Sequence, residues 1–130
     1  MIILVIGQNP AKGREGELAF LDTRSGERLF RWLSEAGIEL HRVHFVNLWP
    51  KEGKLPNSRE LANNAHRIVR NYEWDCIFTV GNVAAKYVGR LLPINKWLPL
   101  PHPSGRNRQL NDKNLEKTII EDIKYFLKGE

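Results

Sequence analysis

Five consecutive aliphatic residues, at positions 2–6, follow Met1 and pass directly into Gly7. A run this short can neither cross a membrane nor serve as a signal peptide, so it predicts a short buried strand. Further strands are predicted at 43–49, 75–80 and 97–100, each followed by proline or glycine. These four segments restrict the chain to folds built around a small sheet.

Segments with helical periodicity alternate with the four predicted strands, near residues 25–36, 58–72, 82–91 and 112–127. Ser25 and Ser58 are the predicted N-caps of the first two helices. Alternation of strands and helices predicts a three-layer α/β/α sandwich with a central four-stranded parallel sheet. The length of 130 residues fits one domain over residues 1–130.

A single cysteine, Cys76, limits the chemistry open to this chain. It excludes an internal disulfide framework, an all-cysteine zinc site and a four-cysteine iron–sulfur cluster. We also expect no metal and no cofactor. An intracellular, reducing compartment fits best, and we expect a cytoplasmic protein of prokaryotic or viral origin.

The charge of the chain is informative through its distribution. There are 20 Lys and Arg against 15 Asp and Glu, a formal charge of +5, which is too small to identify a partner. From position 76 to 111, however, there is no acidic residue, and that segment contains Lys86, Arg90, Lys96, Arg106 and Arg108. The excess positive charge is therefore expected around the last two strand ends.

Polar or Gly/Pro-rich segments lie at the end of every predicted strand, at 7–10, 47–50, 81–82 and 102–108. In an open parallel sheet these segments meet at the carboxyl edge, where ligands bind. The first segment has neither the lysine of a P-loop nor the three glycines of a dinucleotide site, which disfavours nucleoside triphosphate chemistry. From the residues alone, Asn9-Pro10 also fits a plain turn, and 102–108 also fits a solvated basic loop.

Two motifs carry a family resemblance. Gly-Gln-Asn-Pro at 7–10 and His-Pro-Ser-Gly-Arg-Asn at 102–107 resemble the two active-site motifs of the uracil-DNA glycosylase superfamily, with mixed features of its mismatch-specific and single-strand-selective branches. Phe20, Asn47 and Val-Gly-Asn-Val-Ala-Ala at 80–85 extend the resemblance. That middle segment is similar to the compact thermophilic-type branch, although this chain lacks the iron–sulfur cysteines of that branch.

The resemblance implies a monofunctional DNA glycosylase that hydrolyses the bond between a flipped-out uracil and deoxyribose and leaves an abasic site. Asn9 and His102 would be catalytic, and His102 would donate a hydrogen bond to the leaving base. The implied substrate-binding residues are Gly7, Gln8, Phe20 and Asn47. The implied DNA-binding residues are Ser104, Gly105, Arg106, Asn107 and Arg108.

One departure from the main family pattern keeps other functions open. Asn9 stands where the main uracil-DNA glycosylases carry an aspartate, and an amide cannot act as a general base. The same chemistry on hypoxanthine, xanthine or a modified cytosine is one alternative. A catalytically weak nucleic-acid-binding protein of the same fold is another. In every case the expected partner is DNA with uracil or another damaged base, and the expected state is a monomer without membrane association.

Overall fold

Four parallel strands form the sheet in the part of the chain that the structure describes. The structure is a computed structural model, and it describes residues 1–10, 23–103 and 113–129. The strands are β1 (Ile3–Gly7), β2 (Val43–Asn47), β3 (Cys76–Val80) and β4 (Trp97–Leu100). Their order across the sheet is β2-β1-β3-β4, and every neighbouring pair is parallel.

Helices connect and follow these strands: α1 (Arg24–Glu35), α2 (Ser58–Asn71), α3 (Asn82–Val88) and α4 (Lys113–Lys128). The predicted caps Ser25 and Ser58 are wrong by one or two residues. Thr23 and Asn57 have the extended backbone that an N-cap needs, and their side chains accept the N–H groups of Gly26 and Glu60, both at 3.0 Å.

The helices cover both faces of the sheet, which confirms the predicted three-layer architecture. Helices α1 and α4 pack on one face through side chains such as Leu29 and Ile123. Helices α2 and α3 pack on the other through Leu61 and Val88, among others. Strands β1 and β3 are buried at every residue, as expected of central strands in a parallel sheet.

The sheet has a switch point between β1 and β3. The helix after β1 covers one face, whereas the helix after β3 covers the opposite face. In open parallel sheets, ligands bind at such a switch point, beyond the carboxyl ends of the strands. This is where the sequence predicts the functional residues.

A buried polar contact joins β3 to β4. Thr79 is fully buried, and its hydroxyl oxygen accepts a hydrogen bond from Nε1 of Trp97 at 2.9 Å. A Cβ atom at Gly89 would lie 2.6 Å from Cζ2 of the same indole, so glycine makes room for the ring. This packing fixes β4, the strand that leads to His102.

Among the described helices, none combines the length and the apolar character that a membrane crossing requires.

Candidate functional site

The end of β1 lies directly against the end of β2. Gly7 pairs with Asn47 in the parallel register. A Cβ atom at Gly7 would lie 2.9 Å from Cζ of Phe45 and 3.2 Å from Oδ1 of Asn47, so the Asn47 amide rests against bare backbone. A larger residue at position 7 would displace it.

Backbone pairing continues past the ends of these two strands. The Leu48 N–H donates to the Gly7 carbonyl at 2.8 Å, and the Trp49 N–H donates to the Gln8 carbonyl at 2.9 Å. The Leu48 carbonyl in turn accepts from Nδ2 of Asn64, on α2, at 3.1 Å. The segment with Gln8 and Asn9 is thus held in register beside the segment that follows Asn47.

The amide of Asn9 is fixed by the turn that follows β2. Its Nδ2 donates to the carbonyl oxygens of Lys51 and Gly53, at 3.2 and 3.0 Å. Its Oδ1 accepts a hydrogen bond from Nε2 of Gln8 at 3.1 Å. Both N–H groups of the amide are therefore committed to the protein. The free hydrogen-bonding capacity of Asn9 is that of an acceptor at Oδ1.

This arrangement explains why an amide fits position 9 better than a carboxylate. An aspartate in the same pose would direct a carboxylate oxygen at two carbonyl oxygens. Carbonyl groups repel a carboxylate and attract a donor. Gly53 has φ +88°, a left-handed conformation that favours glycine, so the turn that presents these carbonyls is specified by the sequence.

His102 lies at the other half of the same edge, just beyond β4. The Gly81 N–H donates to the Leu100 carbonyl at 2.9 Å and ties the ends of β3 and β4 together. A Cβ atom at Gly81 would lie 3.6 Å from Cδ2 and 3.7 Å from Cβ of His102, so the imidazole stands over this glycine. Gly81 also has φ +88°, which again favours glycine.

The surroundings of His102 favour the neutral imidazole. In the part of the chain that the structure describes, His102 is exposed to solvent. Protein atoms around the ring nevertheless disfavour the charged form, and this desolvation lowers the pKa of His102 below its ordinary value. At neutral pH the side chain is therefore uncharged and can donate one N–H.

The strand order places the predicted residues in sequence along one edge. Asn47 stands at the end of β2, Gly7 at the end of β1, Gly81 after β3 and His102 after β4. Gln8 and Asn9 join them through the hydrogen bonds described above. Phe20 and the predicted DNA-binding residues 104–108 lie outside the described residues.

The sequence did not indicate two groups that act at this edge. They are the main-chain carbonyls of Lys51 and Gly53, which orient Asn9. A backbone carbonyl is present at every residue, so no residue type marks it. The only signal was Gly53 itself, which predicts a turn after the second strand.

No group of three His, Cys, Asp or Glu side chains that could hold a metal ion occurs within residues 1–10, 23–103 and 113–129.

Comparison with known proteins gives one family. A family model described as the uracil DNA glycosylase superfamily matches residues 2–124, which include all of the edge residues described above. A search of curated proteins found no match.

Proposed function

The chain belongs to the uracil DNA glycosylase superfamily, and from that premise we propose that it removes uracil from DNA by hydrolysing the N-glycosidic bond. The products would be free uracil and an abasic site in an intact strand. The observation that supports this proposal is the convergence of Asn9, Asn47 and His102 at one sheet edge, from three different strand ends.

Base recognition is assigned to Asn47. Its amide has one donor face and one acceptor face, which suit the O4 and N3–H groups of uracil. Gly7 supports the proposal because a Cβ atom at this position would lie only 3.2 Å from Oδ1 of Asn47, so glycine leaves room for that amide. Gln8 and Gly7 would bound the base, and Phe20 would stack on it.

His102 is assigned to the departing base. Breaking the glycosidic bond leaves negative charge on uracil, much of it on O2. A neutral imidazole can donate its N–H to O2 and stabilise this charge by a hydrogen bond, without transferring the proton. The lowered pKa of His102 supports the proposal, because the neutral form then predominates at physiological pH.

Asn9 is assigned to the attacking water. With both of its N–H groups given to Lys51 and Gly53, only Oδ1 remains to accept a hydrogen bond from water. This contact orients the water toward the sugar carbon but does not remove its proton, since an amide is not a base at neutral pH. The proton that water loses as the new C–O bond forms goes to the departing uracil anion, so neutral uracil is released. Catalysis would then depend on orientation and on stabilisation of the leaving base.

DNA contacts are assigned to residues 104–108, with Arg106 entering the duplex in place of the flipped base and Arg108 contacting phosphate. This assignment follows from the motif and from the acid-free segment around it. Arg106→Ala should lower excision from duplex DNA more than excision from single strands. An equal loss on both substrates would remove the wedge role.

The decisive experiment uses oligonucleotides that each contain one defined lesion: uracil, hypoxanthine, xanthine or a modified cytosine. Strands are analysed with and without alkali, which cleaves at abasic sites. We expect alkali-dependent cleavage at uracil and intact strands without alkali. Release of another base but not of uracil would refute uracil as the substrate and assign that base instead. Binding of DNA without release of any base would overturn the glycosylase proposal.

Two double variants make the experiment specific to the site. Asn9→Ala/His102→Ala should abolish excision. Asn95→Ala/His44→Ala removes the same two side-chain types from exposed positions away from the carboxyl edge and should leave excision unchanged. Full activity in the first variant would refute the assignment of Asn9 and His102.

A further inference from the structure

The outward side of α2 carries an open groove with basic walls. Its volume is about 520 Å³. We call it the α2 groove, and it is lined by Asn63, His66, Arg67, Arg70 and Asn71. All five are exposed. None takes part in the candidate site, so the groove is a separate surface.

Helical periodicity explains this surface. Leu61, Ala65 and Ile68 are buried against the sheet, and residues 63, 66, 67 and 70 fall on the opposite side of the same helix. Arg59 extends the row toward the start of α2. Eleven residues separate Arg59 from Arg70, so the row is about 16 Å long at 1.5 Å per residue.

The arginines of this row are available for an anion. In residues 1–10, 23–103 and 113–129, the ion pairs involve other residues, such as Arg28 and Arg31 with Glu116, and no carboxylate pairs with Arg59, Arg67 or Arg70. The one acidic residue of α2, Glu60, lies in its first turn. A planar guanidinium can bind phosphate through two N–H groups at once.

The row starts at the functional edge and leads away from it. Helix α2 connects two parallel strands, so it begins at their carboxyl ends and runs back along the sheet. Asn64 of α2 donates to the Leu48 carbonyl, and Leu48 donates to Gly7. DNA whose base is bound at this edge continues past it, with one phosphate per ~3.4 Å of each strand.

We propose that the α2 groove, extended by Arg59, is a second DNA-binding surface that holds phosphates flanking the base in the site. The row of about 16 Å is long enough for about five nucleotides of one strand. The proposal rests on the proposed function in taking DNA as the substrate. It differs from the proposed function in placing DNA affinity on helix α2, in addition to residues 104–108.

The test measures the salt dependence of binding to an undamaged duplex. Arg67→Ala/Arg70→Ala is compared with Lys117→Ala/Lys128→Ala, which removes two exposed charges from α4 on the opposite face of the sheet. Each lost phosphate contact lowers the slope of log K against log salt by about 0.9. Raising the salt from about 50 to about 200 mM weakens DNA binding by both variants. The fold-loss of affinity should be roughly ten times smaller for Arg67→Ala/Arg70→Ala than for the control.

Equal slopes and equal affinities in the two variants would overturn the proposal. Exposed arginine-to-alanine changes in a helix preserve helix propensity, so both variants should fold, and urea unfolding verifies this. Because the DNA is undamaged, the result does not depend on excision. Absence of glycosylase activity would refute the proposed function and leave this comparison valid.

Discussion

Asn9→Asp tests whether the turn after β2 selects an amide at the functional edge. The change keeps the size of the side chain and replaces the amino group by an oxygen. That group now donates to the carbonyls of Lys51 and Gly53, at 3.2 and 3.0 Å. Aspartate therefore loses two hydrogen bonds and places like partial charges in contact.

The magnitude follows from those two bonds. A neutral hydrogen bond contributes a net ~0.5–1.5 kcal/mol, and these two are solvent-accessible, so we use the lower half of that range for each. Asn9→Ala also removes the hydrogen bond that Oδ1 accepts from Gln8, so it should lower the free energy of unfolding by about 1.5–3 kcal/mol. Asn9→Asp should lower it further at neutral pH, because the ionised carboxylate faces the two carbonyls.

The additional loss in Asn9→Asp must depend on pH in a defined direction. The folded variant favours the protonated form of the introduced carboxyl, which can donate to one carbonyl, so the folded-state pKa of this carboxyl lies above that of the unfolded chain. Below about pH 3 both states hold the proton and the extra loss is absent. As pH rises, the unfolded chain releases its proton first, and the stability of the variant falls relative to Asn9→Ala.

Urea unfolding followed by tryptophan fluorescence measures these differences, since the chain has four tryptophans. The unaltered protein and the two variants are compared at about pH 4.5 and about pH 7.5. If the difference in stability between Asn9→Asp and Asn9→Ala is the same at both pH values, the carbonyl pair does not oppose a carboxylate and the reasoning is refuted.

Four other changes test the remaining contacts. His102→Ala should lower the excision rate by about 10²–10³-fold. Because the pKa of His102 is lowered, the excision rate of the unaltered protein should be level between about pH 7 and 8. A tenfold rise in that rate per pH unit on acidification would contradict a neutral donor. Asn47→Leu should lower kcat/KM for uracil by about 10–100-fold, whereas unchanged kinetics would exclude a contact with the base. Gly81→Ala should cost about 1–3 kcal/mol of unfolding free energy, because φ +88° with ψ 167° is a backbone conformation that residues other than glycine rarely adopt. An equally stable variant would count against this strain. Gly89→Ala should cost about 1–3 kcal/mol, since its Cβ would overlap the Trp97 ring, and an unchanged urea midpoint would refute that packing.

The strands were predictable because their signal is local. Residues 3–7 and 76–80 form fully buried strands, and continuous apolar runs between glycine or proline are typical of such strands. Cap positions were less predictable. Thr23 lies two residues before Ser25, and Asn57 directly precedes Ser58; all four side chains can cap, so composition does not distinguish them.

The functional edge was predictable as a location but not in its internal contacts. Parallel strands bring their carboxyl ends together, so Asn9, Asn47 and His102 could be assigned to one edge from sequence. The hydrogen bonds that orient Asn9 join it to backbone more than forty residues away. Such contacts depend on the register of β1 and β2, which no short motif records. The roles of Phe20 and residues 104–108 stay predictions.

The long reach of the Asn9 contacts has a consequence for how the protein folds. Asn9 depends on carbonyls 42 and 44 positions further along the chain, and His102 depends on β4. These are high-contact-order interactions, which form after local helices and require closure of long loops. During synthesis the Asn9 amino group cannot reach both of its carbonyl partners until residue 53 is made. Partial opening of β2 would likewise release Asn9 before the central strands separate, so excision should be lost on heating before global unfolding.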